Sequence, residues 1–218
     1  VFHPTKRCMI FATFTEQGTK SGIWRSADGG ENWMQLTEGL PAPECFARTS
    51  LAISLSNPDV MYALAEDAHS FRSDLVLGVF RSDDGGKSWR EIGGKHFSGE
   101  AQISYGNTIA VHPGNPDHVL CGGVDLHLST NGGKHWKKAT RWAAKRGDAN
   151  YAHSDHLHLL FAAPGRVYDT NDGGLDVSDD GGVTWSNRSK GLEITMYYDM
   201  DVAQSNGRHF GGGAQDNG

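Results

Sequence analysis

The last third of the chain concentrates side chains whose types and spacing could support acid–base chemistry. A pair of carboxylates about 5–10 Å apart can act as general acid and as base or nucleophile in cleaving a glycosidic bond. Three acidic residues lie in short polar runs with no counterpart elsewhere in the chain: Asp155, Asp172 and Asp216. We take these three as the candidate catalytic residues.

Polar and aromatic side chains around these carboxylates are the candidate substrate-binding residues. An imidazole can tune the pKa of a neighbouring carboxyl group or bind a sugar hydroxyl, and amide or phenol groups can bind hydroxyls too. The candidates are His153, His156, Gln215, Asn217 and Tyr197. The sequence therefore favours a ligand-binding cluster in its last third.

A metal site is a weaker alternative for the same cluster. His153, Asp155 and His158 are suitable ligand types, but side chains alternate between the two faces of a strand. His153 and Asp155 would share one face while His156 and His158 share the other, so at most two or three could meet one ion. We expect no cofactor.

The elements that hold these residues are defined by a sequence repeat. Four segments follow the pattern Ser-x-Asp-Gly-Gly-x-x-Trp, with Asn in place of Asp in the third, and their tryptophans recur every 47–56 residues. The paired glycines permit positive φ, the Asp or Asn can accept backbone hydrogen bonds, and the Trp can cover the loop. The structural positions are Asp28, Trp33, Asp84, Trp89, Asn131, Trp136, Asp180 and Trp185.

Short apolar runs before and after each of these segments supply four strands per repeat of about 50 residues, which is the unit of a β-propeller blade. The sequence therefore predicts an all-β fold of four-stranded antiparallel blades. The predicted division is residues 1–46 as a blade lacking most of its first strand, 47–101, 102–150 and 151–196 as complete blades, and 197–218 as two strands of a further blade. We expect an incomplete segment of a larger propeller, which missing segments or self-association would close.

The repeated segment resembles the Asp-box, or BNR repeat, of bacterial sialidases, xyloglucan-cleaving glycosidases, photosystem assembly factors and sortilin-type receptors. That resemblance implies a propeller with the boxes on its outer rim. The run around Asp155, the Asp172 turn and the terminal Gln-Asp-Asn-Gly are similar to those of bacterial BNR-repeat glycosyl hydrolase proteins with sortilin-like propellers. The arginines and Tyr–Glu pair of sialidases have no clear counterpart here, nor do the two catalytic aspartates of xyloglucanases.

The net charge and the hydropathy of the chain limit the classes of binding partner that the sequence predicts. The formal net charge is −6 without a basic stripe, which makes nucleic acid an unexpected partner. No apolar stretch approaches the roughly 20 residues that span a bilayer.

Trp142 lies outside the boxes and could stack on a sugar. It belongs to a run from Arg141 to Arg146 that has helical propensity.

Three hypotheses remain for the function. The first is a carbohydrate-active, glycoside-hydrolase-like propeller, which implies a secreted or periplasmic protein although this sequence contains no signal peptide. The second is a non-catalytic propeller that binds a peptide or protein, as sortilin-type receptors and assembly factors do. In the third, the polar cluster is a buried hydrogen-bond network that joins two blades around the central channel.

Overall fold

A computed structural model describes residues 1–15, 17–70, 75–97, 99–192, 197–202 and 210–214. The described residues are almost entirely strands and turns, with 3-10 turns at Gly18–Lys20, Pro43–Cys45 and Gly94–Phe97. None of the helices in this described part is long and apolar enough to span a membrane. The chain divides into two compact units, residues 1–188 and 189–218.

The first unit contains four antiparallel sheets in chain order. The first sheet has three strands: β1 (Ile10–Phe14), β2 (Gly22–Ser26) and β3 (Met34–Leu36). The second contains β4 (Phe46–Ile53), β5 (Met61–Asp67), β6 (Val76–Ser82) and β7 (Arg90–Glu91). The third contains β8 (Thr108–Val111), β9 (Val119–Gly122), β10 (Leu126–Ser129) and β11 (Lys137–Lys138). The fourth contains β12 (His156–Phe161), β13 (Val167–Asn171), β14 (Gly174–Ser178) and β15 (Ser186–Asn187).

Each sheet is a simple meander in which neighbouring strands follow one another along the chain. In the first sheet, Phe2 bridges Ile10, and Phe11 donates its backbone N–H to the Val1 carbonyl, so a short segment lies along the free edge of β1. The second unit is described as one antiparallel pair, β16 (Tyr197–Val202) with β17 (Phe210–Ala214). The predicted all-β fold of four-stranded antiparallel sheets is confirmed, and the predicted blade boundaries remain a prediction.

The first strands of the second, third and fourth sheets lie side by side, with β8 packed between β4 and β12. Apolar side chains between successive sheets form three separate cores. The core between the first and second sheets includes Phe11, Ile23, Phe46, Met61 and Phe80. The core between the second and third includes Tyr62, Leu64, Phe97, Ile103 and Cys121. The core between the third and fourth includes Leu120, Leu126, Leu128, Leu159 and Val167. Sheets stacked face to face around their innermost strands form the blades of a propeller.

The Asp-box hairpins join the third and fourth strands of each sheet. In every box the Ser hydroxyl donates to the Asp or Asn side chain at 2.7–3.1 Å, and the N–H four residues after that side chain donates to it at 2.8–3.0 Å. Burial opposes ionisation of Asp84, but the hydrogen bonds from Ser88 and Ser82 outweigh it and lower the Asp84 pKa to about 2. The boxes therefore satisfy their own turn donors, as the sequence predicts.

The boxes also fasten each sheet to the one before it, which the sequence did not indicate. The second box glycine has positive φ, and at Gly182 an added Cβ would lie 2.4 Å from Leu120 Cδ1 on the preceding sheet. The backbone N–H of Trp185 donates to the Ala149 carbonyl at 2.7 Å, and that of Trp89 donates to the Glu38 carbonyl at 3.0 Å. The box is thus a joint between blades as well as a hairpin.

Candidate functional site

Polar residues gather at one end of the blades, which we call the mouth face. In an antiparallel meander the turns alternate between the two ends, so the turn between strands two and three lies at the same end as the connection to the next blade. The mouth face therefore comprises the turns 123–125 and 172–173 and the connections 92–97, 99–107 and 139–155. By the strand order the Asp-box hairpins lie at the opposite end, although the connection 139–155 also reaches the fourth box, where the Ala149 carbonyl accepts the Trp185 N–H.

Asp155 and Asp172 are the two predicted catalytic residues that the structure describes, and they lie near enough for the charge of Asp172 to act on the pKa of Asp155. Asp155 ends the connection 139–155 and adopts φ +63°, an uncommon conformation for a residue other than glycine. Its Oδ1 atom is buried with no hydrogen-bond partner, and its Oδ2 atom is 3.5 Å from Ser154 Oγ. Burial, and then the Asp172 carboxylate, raise the pKa of Asp155.

Asp172 is exposed in the turn between β13 and β14. The next residue, Gly173, packs directly on the connection 139–155, since an added Cβ would lie 2.4 Å from His153 Cβ. Only glycine allows the turn this close approach. The pair thus consists of a carboxyl group that resists ionisation and a solvated one beside it, an asymmetry typical of acid–base sites.

His153 and His158 are both exposed, and the predicted face-sharing along this run is wrong. The left-handed turn at Asp155 and a bulge between His156 and His158 interrupt strand alternation. As a result His156 points into the core while His158 faces solvent. Across the described residues no three His, Cys, Asp or Glu side chains converge to hold a metal ion, so His153, Asp155 and His158 do not form the alternative metal site.

His156 is fully buried, away from the substrate-binding role considered for it. Its Nδ1 is 2.7 Å from Asp169 Oδ2, and Asn171 Nδ2 donates to both Asp169 and Asp176 at 2.8 Å. Burial lowers the pKa of His156, but the Asp169 carboxylate outweighs it and the net shift is upward. His156 is therefore part of a buried hydrogen-bond network, as the third hypothesis expects, with Asp169, Asn171 and Asp176 as its partners.

The order Thr140–His156–Asp169 resembles a nucleophile–base–acid triad, yet it has no access to a substrate. Thr140 Oγ1 is 3.4 Å from His156 Nε2, and all three side chains have 0% relative exposure. Thr140 Oγ1 also accepts the Leu126 N–H at 2.7 Å, which ties the hydroxyl to β10. We therefore assign these groups a structural role.

A second buried network lies beside the first. His127 Nε2 is 2.8 Å from Glu100 Oε1, and His127 Nδ1 is 2.9 Å from Nε2 of the exposed His96. Burial raises the pKa of Glu100, but its hydrogen bond with His127 outweighs burial and lowers it. Glu100 also accepts the Val124 N–H at 2.8 Å, while the neighbouring Gly123 carbonyl accepts the His156 N–H at 2.8 Å. The turn 123–125 therefore links the two networks.

The partners of the histidines in these networks were not predicted from the sequence. A sequence signal for them does exist, because Asp169 and Asn171 are polar residues at alternate positions of one strand, and Asp176 lies opposite Asp169 on the next strand. Gln215, Asp216 and Asn217 lie outside the described residues. Tyr197 begins β16, of which only the backbone is described.

The BNR/Asp-box repeat profile matches residues 80–91, and no curated protein matches the chain. A GH74 enzyme of Niastella koreensis shares 21% identity and a TM-score of 0.66, over 94% of this chain and 31% of that chain. The GH74 xyloglucanase of Xanthomonas campestris shares 20% identity and a TM-score of 0.63, over 94% and 32%.

YCF48 from Cyanidioschyzon merolae shares 14% identity and a TM-score of 0.46, over 94% of this chain and 89% of that chain. The chain spans about a quarter to a third of the GH74 chains it matches. At these identities the GH74 likeness establishes the fold alone. The chain therefore contains an Asp-box (BNR) repeat and has the fold of β-propeller blades.

Proposed function

We propose that the mouth face is a glycoside-hydrolase site in which Asp155 is the general acid and Asp172 the base or nucleophile. The observation that carries the proposal is the buried Asp155 Oδ1 without a partner, beside an exposed carboxylate that acts on its charge. A protonated carboxyl group needs an acceptor for its proton, and a glycosidic oxygen is such an acceptor. Asp216 is the third candidate carboxylate.

The chemistry divides between the two groups. Asp155, whose pKa is raised by burial and by its neighbour's charge, donates a proton to the departing glycosidic oxygen. Asp172, which is exposed, acts as the carboxylate that either attacks the anomeric carbon or removes a proton from the attacking water. His153 lies against the Asp172 turn, and we propose that it binds a sugar hydroxyl. Gln215, Asn217 and Tyr197 are further proposed sugar contacts, in a protein that we propose is secreted or periplasmic.

The test combines turnover with a titration that does not depend on turnover. The protein would be assayed on a panel of neutral and acidic polysaccharides, with Asp155→Asn, Asp172→Asn and, as control, Glu91→Gln, an exposed carboxylate on the edge strand of the second sheet. We expect each Asp variant to lose about 100-fold or more in kcat, and the control to match wild type. An NMR titration should show a lower Asp155 pKa in Asp172→Asn but not in Glu91→Gln.

Absence of turnover by wild type on the whole panel would refute the enzyme hypothesis. Full activity in Asp155→Asn would refute the assigned roles. Saturable peptide binding at the mouth face without turnover would instead favour the non-catalytic alternative.

A further inference from the structure

One feature of the mouth face has no part in the acid–base pair: the segment 141–150, which we call the basic loop. Instead of the helix that its composition favours, it forms consecutive turns, with hydrogen bonds from Ala144 N–H to the Arg141 carbonyl and from Asp148 N–H to the Lys145 carbonyl. The Arg141 N–H donates to the Asn150 carbonyl at 2.8 Å and closes the loop at its base. The loop is therefore compact, with its backbone held by its own bonds.

The side chain of Trp142 in this loop is exposed, whereas its backbone is held in place. Its side chain is 56% exposed, whereas its backbone N–H donates at 2.8 Å to Oδ1 of Asp125. Asp125 is buried, and its other oxygen is held by Lys138 Nζ at 2.9 Å. An exposed indole on a fixed backbone offers an apolar ring face on which a ligand can stack.

The charges beside Trp142 are positive and unpaired. Arg141, Lys145 and Arg146 are exposed, and none of them takes part in any ion pair within the described residues. The one acidic residue of the loop, Asp148, accepts the Lys145 backbone N–H. The loop therefore carries a net charge of +2 in a chain whose net charge is −6. This local reversal of sign is suited to an anionic ligand.

We propose that the basic loop is a binding subsite for an anionic polysaccharide, one that carries uronate or sulfate groups. The indole of Trp142 stacks on the apolar face of a sugar ring, and Arg141, Lys145 and Arg146 bind the anionic groups. The loop is fixed at Trp142 to Asp125 of the turn 123–125, and the connection that contains it ends at Asp155, so the proposed subsite and the carboxyl pair belong to one segment of the chain. The choice of a polysaccharide among anionic polymers rests on the proposed function.

Equilibrium binding tests the subsite separately from turnover. The probes are polygalacturonate, its methyl ester, which keeps the rings but loses the charges, and a single-stranded DNA of equal charge. The variants are Trp142→Ala and the triple variant Arg141→Ala/Lys145→Ala/Arg146→Ala. The matched control removes three exposed positive charges elsewhere, Arg7→Ala/Lys87→Ala/Lys134→Ala, so that net charge changes equally.

We expect wild type to bind polygalacturonate at least about tenfold more tightly than the methyl ester or the DNA. The loop triple variant and Trp142→Ala should each lose about fivefold or more, the control triple variant should stay within about twofold, and added salt should weaken binding. Equal losses in the two triple variants, no loss in Trp142→Ala, or equal binding of DNA would overturn the proposal. Because binding is measured without cleavage, a missing hydrolase activity leaves this readout intact, and a missing subsite leaves the turnover test intact.

Discussion

Replacing the second glycine of an Asp box tests whether the box is a joint between blades. In Gly182→Ala the new Cβ meets Leu120 Cδ1 at 2.4 Å, and Leu120 is fully buried, so its side chain has nowhere to move. Gly30 occupies the same box position in the first sheet, where the nearest atom to an added Cβ is Trp33 Cζ2 at 3.9 Å. The two glycines have φ of +96° and +105°, so Ala pays a similar backbone strain at both.

The backbone strain should cost about 1–2 kcal/mol in either variant. Overpacking against Leu120 should add about 1–3 kcal/mol in Gly182→Ala alone. Urea unfolding followed by Trp fluorescence measures the difference in midpoint at constant slope. In a double-mutant cycle, Leu120→Ala should recover most of the extra loss, because it removes the clashing atoms. Equal losses in Gly30→Ala and Gly182→Ala, with no coupling to Leu120, would refute the joint.

Two predictions concern the pH dependence of stability, through the fully buried His156 and the half-buried His118. Because the pKa of His156 is raised in the fold, its contribution is fully present below the unfolded value of about 6.5 and is lost as pH rises through the folded pKa. Asp169→Asn should remove this dependence and cost about 3–5 kcal/mol in thermal or urea unfolding, and an unchanged pH profile would contradict the ion pair. Burial lowers the pKa of His118, whose Nε2 lies 2.7 Å from the Gly181 carbonyl, so its contribution is lost as pH falls below about 6.5. His118→Gln, which keeps a donor, should be less sensitive to acid than wild type, and equal sensitivity would show that another group is responsible.

The architecture could be predicted from sequence because the box is a local device. Its Ser, Asp and Gly residues satisfy one another within a few positions, so their spacing fixes where each hairpin lies and which strands precede it. The interaction between Asp155 and Asp172 could also be expected, since an antiparallel meander brings the turn after β13 to the same end as the connection before β12.

The orientation of the histidines could not be predicted, because it depends on two backbone irregularities. A left-handed Asp155 and a bulge after His156 redirect the side chains, and neither has a sequence signature as clear as a glycine. The Glu100–His127–His96 chain joins residues from two different sheets, and nothing local in the sequence relates them. Partners of this kind depend on how the blades pack, which strand patterns do not encode.

The joint between blades has a consequence for how such chains diverge. It consists of main-chain hydrogen bonds, such as Trp185 N–H to the Ala149 carbonyl, and of a missing Cβ at Gly182. The hydrogen bonds depend on no side chain, and the missing Cβ matters only to the side-chain atoms that it would meet, those of Leu120. Selection can therefore replace most of the residues between blades while a short set of box positions preserves their docking. A duplicated repeat would carry both the box and the residues that the box of the next blade contacts. New blades can therefore be added before the side chains between them have adapted.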